Sequence, residues 1–180
     1  MTFDSIHDAT HFYFVTATIC GWKNIFTEHQ YAKPVLDSLE YLRSNRMIRL
    51  FAFVLMPSHL HALIKPGRQD ISQALQTFGS YTAHQLLAEL RNCGRSDLLS
   101  FFHSRRRDRR HQHSIWQDIQ AKNVFSLEFL RQKMEYIHNN PLRDGIFQSA
   151  DRADYPYSSA CFYDRGEPPP IPIDDIRRIT

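Results

Sequence analysis

Two histidines, His59 and His61, are separated by one residue inside an apolar segment that runs from Phe51 to Lys65. In a β-strand, residues two positions apart point to the same face of the sheet, whereas on a helix they diverge by about 200°. A strand would therefore turn both imidazoles to one side and Leu60 to the other. Imidazole nitrogens are common ligands of divalent metals. The pair indicates a two-histidine metal site, and the same spacing also suits two half-buried histidines that only make hydrogen bonds.

A second group of reactive side chains lies further along the chain. Tyr136 and Asn140 are four residues apart in a segment with helical periodicity, so they share one helix face, and Lys133 lies beside them. A phenol can act as a nucleophile, and a carboxamide oxygen can bind a metal. A tyrosine on an amphipathic helix is also often a boundary residue with its hydroxyl in water. The group becomes catalytic only if the fold brings this helix against the strand with the histidines.

The predicted elements come in an order that can bring the two groups together. Strand, helix, strand, strand and helix open a split β-α-β arrangement. We therefore predict an α+β fold, a ferredoxin-like (RRM-like) antiparallel sheet with helices on one face, which leaves the other face for a site. Ser126 is the expected N-cap of the last predicted helix, and Pro141 is expected to end it. The predicted segments are strands at His11–Cys20, Met47–Leu55 and His59–Lys65, and helices from about 27–34 to Asn45, from Asp70 or Ser72 to Cys93, and from Leu127 to Asn140.

Length and composition favour one folded domain in a reducing compartment. The 180 residues are enough for a sizeable core, and hydrophobic residues at 42 % argue against a disordered chain. Cys20, Cys93 and Cys161 are odd in number and far apart, which fits a cytosolic protein better than a disulfide framework. No apolar run approaches the roughly 18 residues of a membrane span, so we expect neither a signal peptide nor a membrane span. We predict one domain over residues 1–165, followed by a Pro-rich C-terminal tail over residues 166–180.

A basic insertion at about residues 94–114 interrupts the predicted domain. The segment from Arg105 to Arg110 holds five arginines and one aspartate, although the net charge of the whole chain is only +3. Such a block predicts a surface that binds phosphates, and a solvated loop is the alternative. The five arginines are Arg105, Arg106, Arg107, Arg109 and Arg110.

Two motifs in this order resemble one protein family. MPSHLHALI, at residues 56–64, resembles the His-hydrophobic-His motif of the HUH endonucleases. EYIHNNPLRDGI, at residues 135–146, resembles the tyrosine helix of the single-tyrosine (Y1) transposases of the IS200-like family, and its Tyr-Ile-x-x-Asn-Pro pattern is most similar to the REP-associated tyrosine transposases. Trp116 and the segment Tyr155-Pro-Tyr-Ser-Ser are similar to the same branch. The resemblance covers roughly Phe12 to Tyr163.

The resemblance implies the HUH endonuclease fold and a role for each matched residue. Tyr136 matches the nucleophile, His59 and His61 match the two metal-binding histidines, and Asn140 matches the polar residue that completes the metal site. The implied activity is that of a transposase that cleaves and rejoins single-stranded DNA through a 5′-phosphotyrosine intermediate. Mixed nitrogen and oxygen ligands suit Mg²⁺ or Mn²⁺ as the divalent cofactor. Ser58 stands where many relatives have asparagine.

The expected partner is single-stranded DNA with a hairpin, because relatives recognise short hairpins near the cleavage site. Lys133 and the arginines of the basic insertion are the candidate DNA contacts. We expect no membrane partner and a location in the bacterial cytosol, with the nucleoid when the protein is bound to DNA. The oligomeric state stays open between a monomer and a homodimer. Some relatives exchange the tyrosine helix between subunits, whereas REP-associated ones can act as monomers.

Two other functions remain open from the sequence. A ferredoxin-like domain can bind nucleic acid without cutting it, as such sheets often do. A metal-dependent phosphoesterase can use activated water as its nucleophile, in which case Tyr136 is incidental. The first alternative predicts binding without cleavage, and the second predicts cleavage without DNA linked to the protein.

Overall fold

The computed structural model describes residues 11–105 and 114–178. None of the helices within these ranges is long and apolar enough to cross a membrane. The strands and α-helices are, in chain order, β1 (Phe12–Ile19), α1 (His29–Ser44), β2 (Ile48–Met56), β3 (His59–Pro66), α2 (Ile71–Asn92), α3 (Ser96–Ser104), β4 (Trp116–Val124), α4 (Leu127–Arg143) and α5 (Ala160–Arg165).

The four strands form one antiparallel sheet in the order β2-β3-β1-β4. Strands β2 and β3 are joined directly by Pro57 and Ser58, and Met56 is the ladder partner of His59. Proline suits this turn because it has no N–H to give to a ladder. The predicted α+β fold with a ferredoxin-like antiparallel sheet is confirmed.

The sheet is packed on both of its faces. Residues such as Val15 and Ala62 face α1 and α2, where the larger cluster of buried side chains lies. Phe14 and Leu63 face the opposite side, where they pack with Leu130 of α4. The prediction of helices on one face holds for α1 and α2, and α4 adds a helix to the face that the prediction left for the site.

A sequence signal for this second layer lies in β2. Every residue of IRLFAFVLM except Arg49 is buried. A strand that faces water on one side alternates apolar and polar residues, whereas a near-continuous apolar run is typical of a strand covered on both faces. The cover on the second face is α4, which packs on β2 and β3. Gln120 and Lys122 of β4 lie at exposed positions.

Helix α4 begins as predicted and ends later. The Ser126 side chain accepts a hydrogen bond from the Phe129 N–H at 3.1 Å, which confirms the N-cap. The helix passes through Pro141 to Arg143, so the prediction that Pro141 ends it is wrong by about one turn. In the last turn a proline removes one intrahelical hydrogen bond, and the Asp144 N–H still donates to the Asn140 carbonyl at 3.1 Å.

The predicted basic insertion contains a helix that the sequence reasoning missed. In α3, the side chains of Leu98 and Phe102 are four residues apart and both are buried in the larger core cluster. This spacing is the signal that would have found the helix. The remainder of the predicted insertion, residues 106–113, lies outside the described residues.

Asp174, in the segment 166–180 predicted as a Pro-rich tail, forms hydrogen bonds with the edge strand β2. The Ile171 side chain is buried in the larger core cluster. The Asp174 N–H donates to the Leu50 carbonyl at 2.6 Å, and the Leu50 N–H donates to the Asp174 carboxylate at 3.1 Å. Pairing of this kind satisfies backbone groups that an edge strand otherwise leaves exposed.

Candidate active site

Strand β3 directs His59 and His61 to the face of the sheet that α4 covers, as the strand period predicts. The two ring centroids are 4.8 Å apart, and the rings are nearly perpendicular at 74°. The exposed fractions are 8 % for His59 and 6 % for His61, so both imidazoles are largely removed from water. The two rings are therefore adjacent and buried on one face.

A hydroxyl group holds each histidine ring. His61 Nδ1 lies 3.0 Å from the Thr16 hydroxyl, and Thr16 is its ladder partner on β1. His59 Nδ1 lies 3.1 Å from the Ser58 hydroxyl. When Nδ1 carries the proton it donates to the hydroxyl oxygen, and the lone pair at Nε2 is then available to a metal. Within residues 11–105 and 114–178, no hydrogen bond to either Nε2 competes with that role.

Burial keeps both histidines neutral. It lowers the pKa of His61 to about 3, and the positive charges of His59 and Lys133 act in the same direction. Burial also lowers the pKa of His59, which the negative charge of Asp144 partly opposes. A neutral imidazole is the form that binds a metal. The environment of the pair thus suits metal binding at neutral pH.

Helix α4 places Tyr136 against this pair. Its ring centroid is 5.2 Å from that of His61 and 5.8 Å from that of Phe14. Phe14 in turn stacks on His61 at 5.2 Å. The tyrosine, the histidine and the phenylalanine come from three different elements, so the structure assembles the two groups of reactive residues that the sequence places far apart.

Asn140, one turn after Tyr136, carries a buried oxygen that no described residue binds. Its exposed fraction is 3 %, and its Oδ1 makes no hydrogen bond with the described part of the chain. Leaving a buried acceptor unpaired costs about 1–3 kcal/mol. A metal ion would supply the missing partner. Two neutral imidazoles and one amide oxygen form a donor set that fits Mg²⁺ or Mn²⁺.

The described residues contain no group of three His, Cys, Asp or Glu side chains that could bind a metal. The candidate site depends on the amide of Asn140 as its third donor.

Two cationic side chains flank the Tyr136 ring. Lys133 Nζ is 5.6 Å from the ring centroid of Tyr136 and 4.6 Å from that of Phe14. Arg143 Cζ is 5.7 Å from the Tyr136 ring. The sequence reasoning missed Arg143, although a residue seven positions after Tyr136 lies on the same helix face two turns on. Both cations therefore place positive charge beside the tyrosine ring.

The predicted arginine contacts fall mostly on residues that the structure does not describe. Arg106, Arg107, Arg109 and Arg110 lie outside the described residues. Arg105 is described, and its Cζ is 5.3 Å from the centroid of the Phe101 ring. Its role as a DNA contact stays a prediction.

Comparison with known proteins adds a structural relationship. No family model matches the sequence, and no curated protein matches it significantly. The solved structure of a REP-associated tyrosine transposase bound to a REP hairpin aligns with a TM-score of 0.65 and 18 % identity, over 98 % of this chain and 93 % of that chain. This chain has the fold of that transposase. The predicted fold of the REP-associated tyrosine transposases is therefore confirmed.

A transposase-like protein of Deinococcus radiodurans R1 also aligns, with a TM-score of 0.45 and 16 % identity, over 72 % of this chain and 88 % of that chain. That score is too low to define a shared fold. Because the identity to the REP-associated transposase is only 18 %, this similarity shows the fold and not the roles of individual residues. Those roles are inferred from the geometry of this chain.

Proposed function

We propose that this chain is a single-tyrosine transposase of the IS200-like type, a DNA strand transferase that cleaves and rejoins single-stranded DNA. The observation that carries the proposal is the position of the Tyr136 ring, 5.2 Å from the His61 ring. The unpaired, buried Oδ1 of Asn140 lies one helical turn further on. These two observations support a site in which Tyr136 is the nucleophile and His59, His61 and Asn140 are the metal-binding donors.

Tyr136 is the nucleophile in this proposal. Its phenol oxygen attacks the phosphorus of the scissile phosphodiester, and a bond forms between them as the bond to the 3′ oxygen breaks. The phenol loses its proton and the departing 3′ oxygen gains one. The products are a 5′-phosphotyrosine and a free 3′-hydroxyl. One phosphodiester replaces another, so a second 3′-hydroxyl can reverse the step and join strands without ATP.

His59, His61 and Asn140 would hold the metal. A divalent ion bound by these residues would neutralise charge on a non-bridging phosphate oxygen. The protein contributes the neutral state of both rings through burial and their orientation through the Thr16 and Ser58 hydroxyls. Lys133 and Arg143 beside the tyrosine ring would bind the same phosphate group.

The substrate would be single-stranded DNA next to a hairpin. A duplex hides its bases, whereas a single strand can bring its backbone to Tyr136 and leave its bases free to stack on aromatic side chains. On the face that α4 packs against, Gln120 and Lys122 of β4 are exposed and offer the strand a path. Hairpin recognition is proposed because the transposase of the same fold was solved with a REP hairpin bound. Tyr136 and His61 meet within one chain, so the proposal does not require a dimer.

The test uses the full chain and hairpin DNA from the flanks of its own gene, labelled at either the 5′ or the 3′ end, with Mn²⁺, Mg²⁺ or EDTA. On a denaturing gel, the 3′-labelled strand should move with the protein and the 5′-labelled strand should be shortened, both only with metal. Tyr136→Phe should abolish the linked species, and Tyr81→Phe, an exposed tyrosine of α2, should keep it.

Two results would contradict the proposal. Metal-dependent cleavage without linked protein would identify water as the nucleophile and the chain as a phosphoesterase. DNA binding without any cleavage would identify a non-catalytic nucleic-acid-binding module.

A further inference from the structure

Trp22 is an exposed indole beside the candidate active site. Its exposed fraction is 57 %, and its ring centroid lies 5.3 Å from that of His59. The other tryptophan of the chain, Trp116, is buried and donates from Nε1 to the Thr82 hydroxyl at 2.9 Å. Folding therefore accounts for the position of Trp116 and leaves most of Trp22 in water.

The backbone holds Trp22 in this exposed position. Its φ is 55°, in the left-handed region that a bulky residue rarely adopts, and Gly21 before it has a φ of 64°. The Gly21 N–H donates to the Gln117 side chain at 3.1 Å. A Cβ on Gly21 would lie 2.6 Å from the Phe101 ring, so the turn packs closely against α3. The backbone that carries the indole is thus held by contacts with α3 and β4.

Two cations lie against the Phe101 ring, on which this turn packs. Lys23 Nζ is 4.6 Å and Arg105 Cζ is 5.3 Å from the centroid of the Phe101 ring. Phe101 is the residue that contacts Gly21. The turn therefore joins a metal-ligand candidate, an exposed aromatic ring and two positive charges within one short stretch of surface.

We propose that Trp22 is the stacking platform for an unpaired base next to the scissile phosphate, with Lys23 and Arg105 binding phosphates of the same strand. The inference rests on the proposed function and adds a base-binding site to it. Every nucleobase has a π-face that can stack on an aromatic ring, so this contact tolerates any sequence. Binding sites for single-stranded nucleic acid typically combine aromatic rings, which stack on bases, with positive charges, which bind the backbone.

A protein partner fits this surface less well. Exposed apolar side chains at Phe125 and Leu127 follow the far end of β4, whereas Trp22 lies near Trp116, where β4 begins. Trp22 is therefore separate from them and does not extend a contiguous apolar patch of the kind that protein interfaces use.

The intrinsic fluorescence of Trp22 provides a direct test. The Trp22→Phe variant emits from Trp116 alone, so the difference from the wild-type spectrum reports Trp22. The probes are a single-stranded DNA of twelve nucleotides with mixed sequence and an abasic strand of the same length, both in EDTA to prevent cleavage. The mixed-sequence strand should quench the emission of Trp22 and saturate, and the abasic strand should leave it unchanged.

Two substitutions separate stacking from folding. Trp22→Gly suits a φ of 55° and removes the ring, so the fold should be kept while affinity for the mixed-sequence strand falls about 5- to 100-fold. Trp22→Phe keeps an aromatic face and should retain most of the affinity. The control is Tyr41→Ala, which removes a ring of similar exposure, 54 %, from α1 on the opposite side of the sheet. Its affinity should equal that of the wild type.

The outcomes distinguish this inference from the proposed function. Equal affinity of Trp22→Gly and the wild type, with the Tyr136 adduct still formed, would overturn the role of Trp22 and leave the transposase proposal intact. Equal quenching by the abasic strand would show that the backbone, and not a base, meets the indole, and would also overturn it. Absence of both DNA binding and adduct in the wild type would overturn both.

Discussion

The ring of Tyr136 on α4 meets the ring of His61 on β3 edge to face, with 5.2 Å between their centroids and 68° between their planes. This relationship depends on how neighbouring residues of the same helix pack on the sheet. Leu130 and Ile137 of α4 are buried against the sheet, in the cluster that contains Val54 of β2. The apolar stripe of α4 therefore determines how far the candidate nucleophile lies from the candidate metal ligands.

Replacing Thr16 by valine should weaken metal binding while the fold is kept. The Thr16 hydroxyl lies 3.0 Å from His61 Nδ1 and fixes the ring that would present Nε2 to the metal. Loss of such an outer-shell partner typically lowers metal affinity about 10- to 100-fold. Calorimetric titration with Mn²⁺ measures the change. The matched control is Thr18→Val on the same strand and face, and an equal loss in both variants would contradict an orienting role for Thr16.

Replacing Asn140 by leucine should separate metal binding from stability. The buried Oδ1 atom has no partner in the described residues, so its removal should leave the metal-free protein as stable as before or more stable, by about 1–3 kcal/mol. Affinity for Mn²⁺ should fall more than about tenfold, because a direct ligand is lost. Urea unfolding in EDTA and calorimetric titration provide the two measurements. A large destabilisation would show that this oxygen serves the fold and not the metal.

Local pattern was enough to predict most elements and the orientation of the histidines. A side-chain period of two places His59 and His61 on one face whatever the rest of the fold does. An N-cap such as Ser126 works through its own backbone neighbours, so it too can be read from the sequence. The Tyr136–Asn140 spacing fixes a shared helix face for the same reason.

Relationships between distant segments could not be read in this way. Thr16 orients His61 only because the β1–β3 ladder has that particular register, and no local pattern specifies it. The unpaired state of Asn140 Oδ1 depends on what α4 packs against, so it also requires the structure. The exposure of Trp22 follows from the turn fixed by Phe101 of α3, a helix that the sequence reasoning did not predict.

Replacing His138 by glutamine should reduce the loss of stability in acid. His138 is buried, its Nε2 lies 2.9 Å from the Ser159 hydroxyl, and burial lowers its pKa to about 4, with the charge of Arg152 acting in the same direction. Below about pH 6.5 the unfolded state binds a proton at His138, whereas the folded state leaves His138 neutral until the pH approaches 4. The contribution of neutral His138 to the free energy of unfolding is therefore fully present above that pH. It is lost as the pH falls toward 4, by about 1.4 kcal/mol per pH unit.

His59 and His61 act in the same direction, so the wild type should keep part of its pH dependence when His138 is removed. Urea unfolding in EDTA at pH 6.5 and pH 5 should show about 1.5 kcal/mol less loss in His138→Gln than in the wild type. Glutamine can still reach the Ser159 hydroxyl, which limits the change at pH 6.5. The same pH dependence in both proteins would show that His138 becomes protonated in the folded state as readily as in the unfolded one.

Replacing Asp174 by alanine should destabilise the whole domain. Its carboxylate accepts from the Leu50 N–H at 3.1 Å and lies 3.1 Å from Arg43 Nε, so it joins the C-terminal segment to β2 and to α1. Loss of a partly buried, charged acceptor should lower the free energy of unfolding by about 1–3 kcal/mol. The control is Asp37→Ala, since Asp37 of α1 pairs with Lys33, both side chains are exposed, and the pair should contribute less than about 1 kcal/mol. Urea unfolding of both variants measures the difference, and equal effects would show that residues 166–178 behave as a tail that contributes little to the domain.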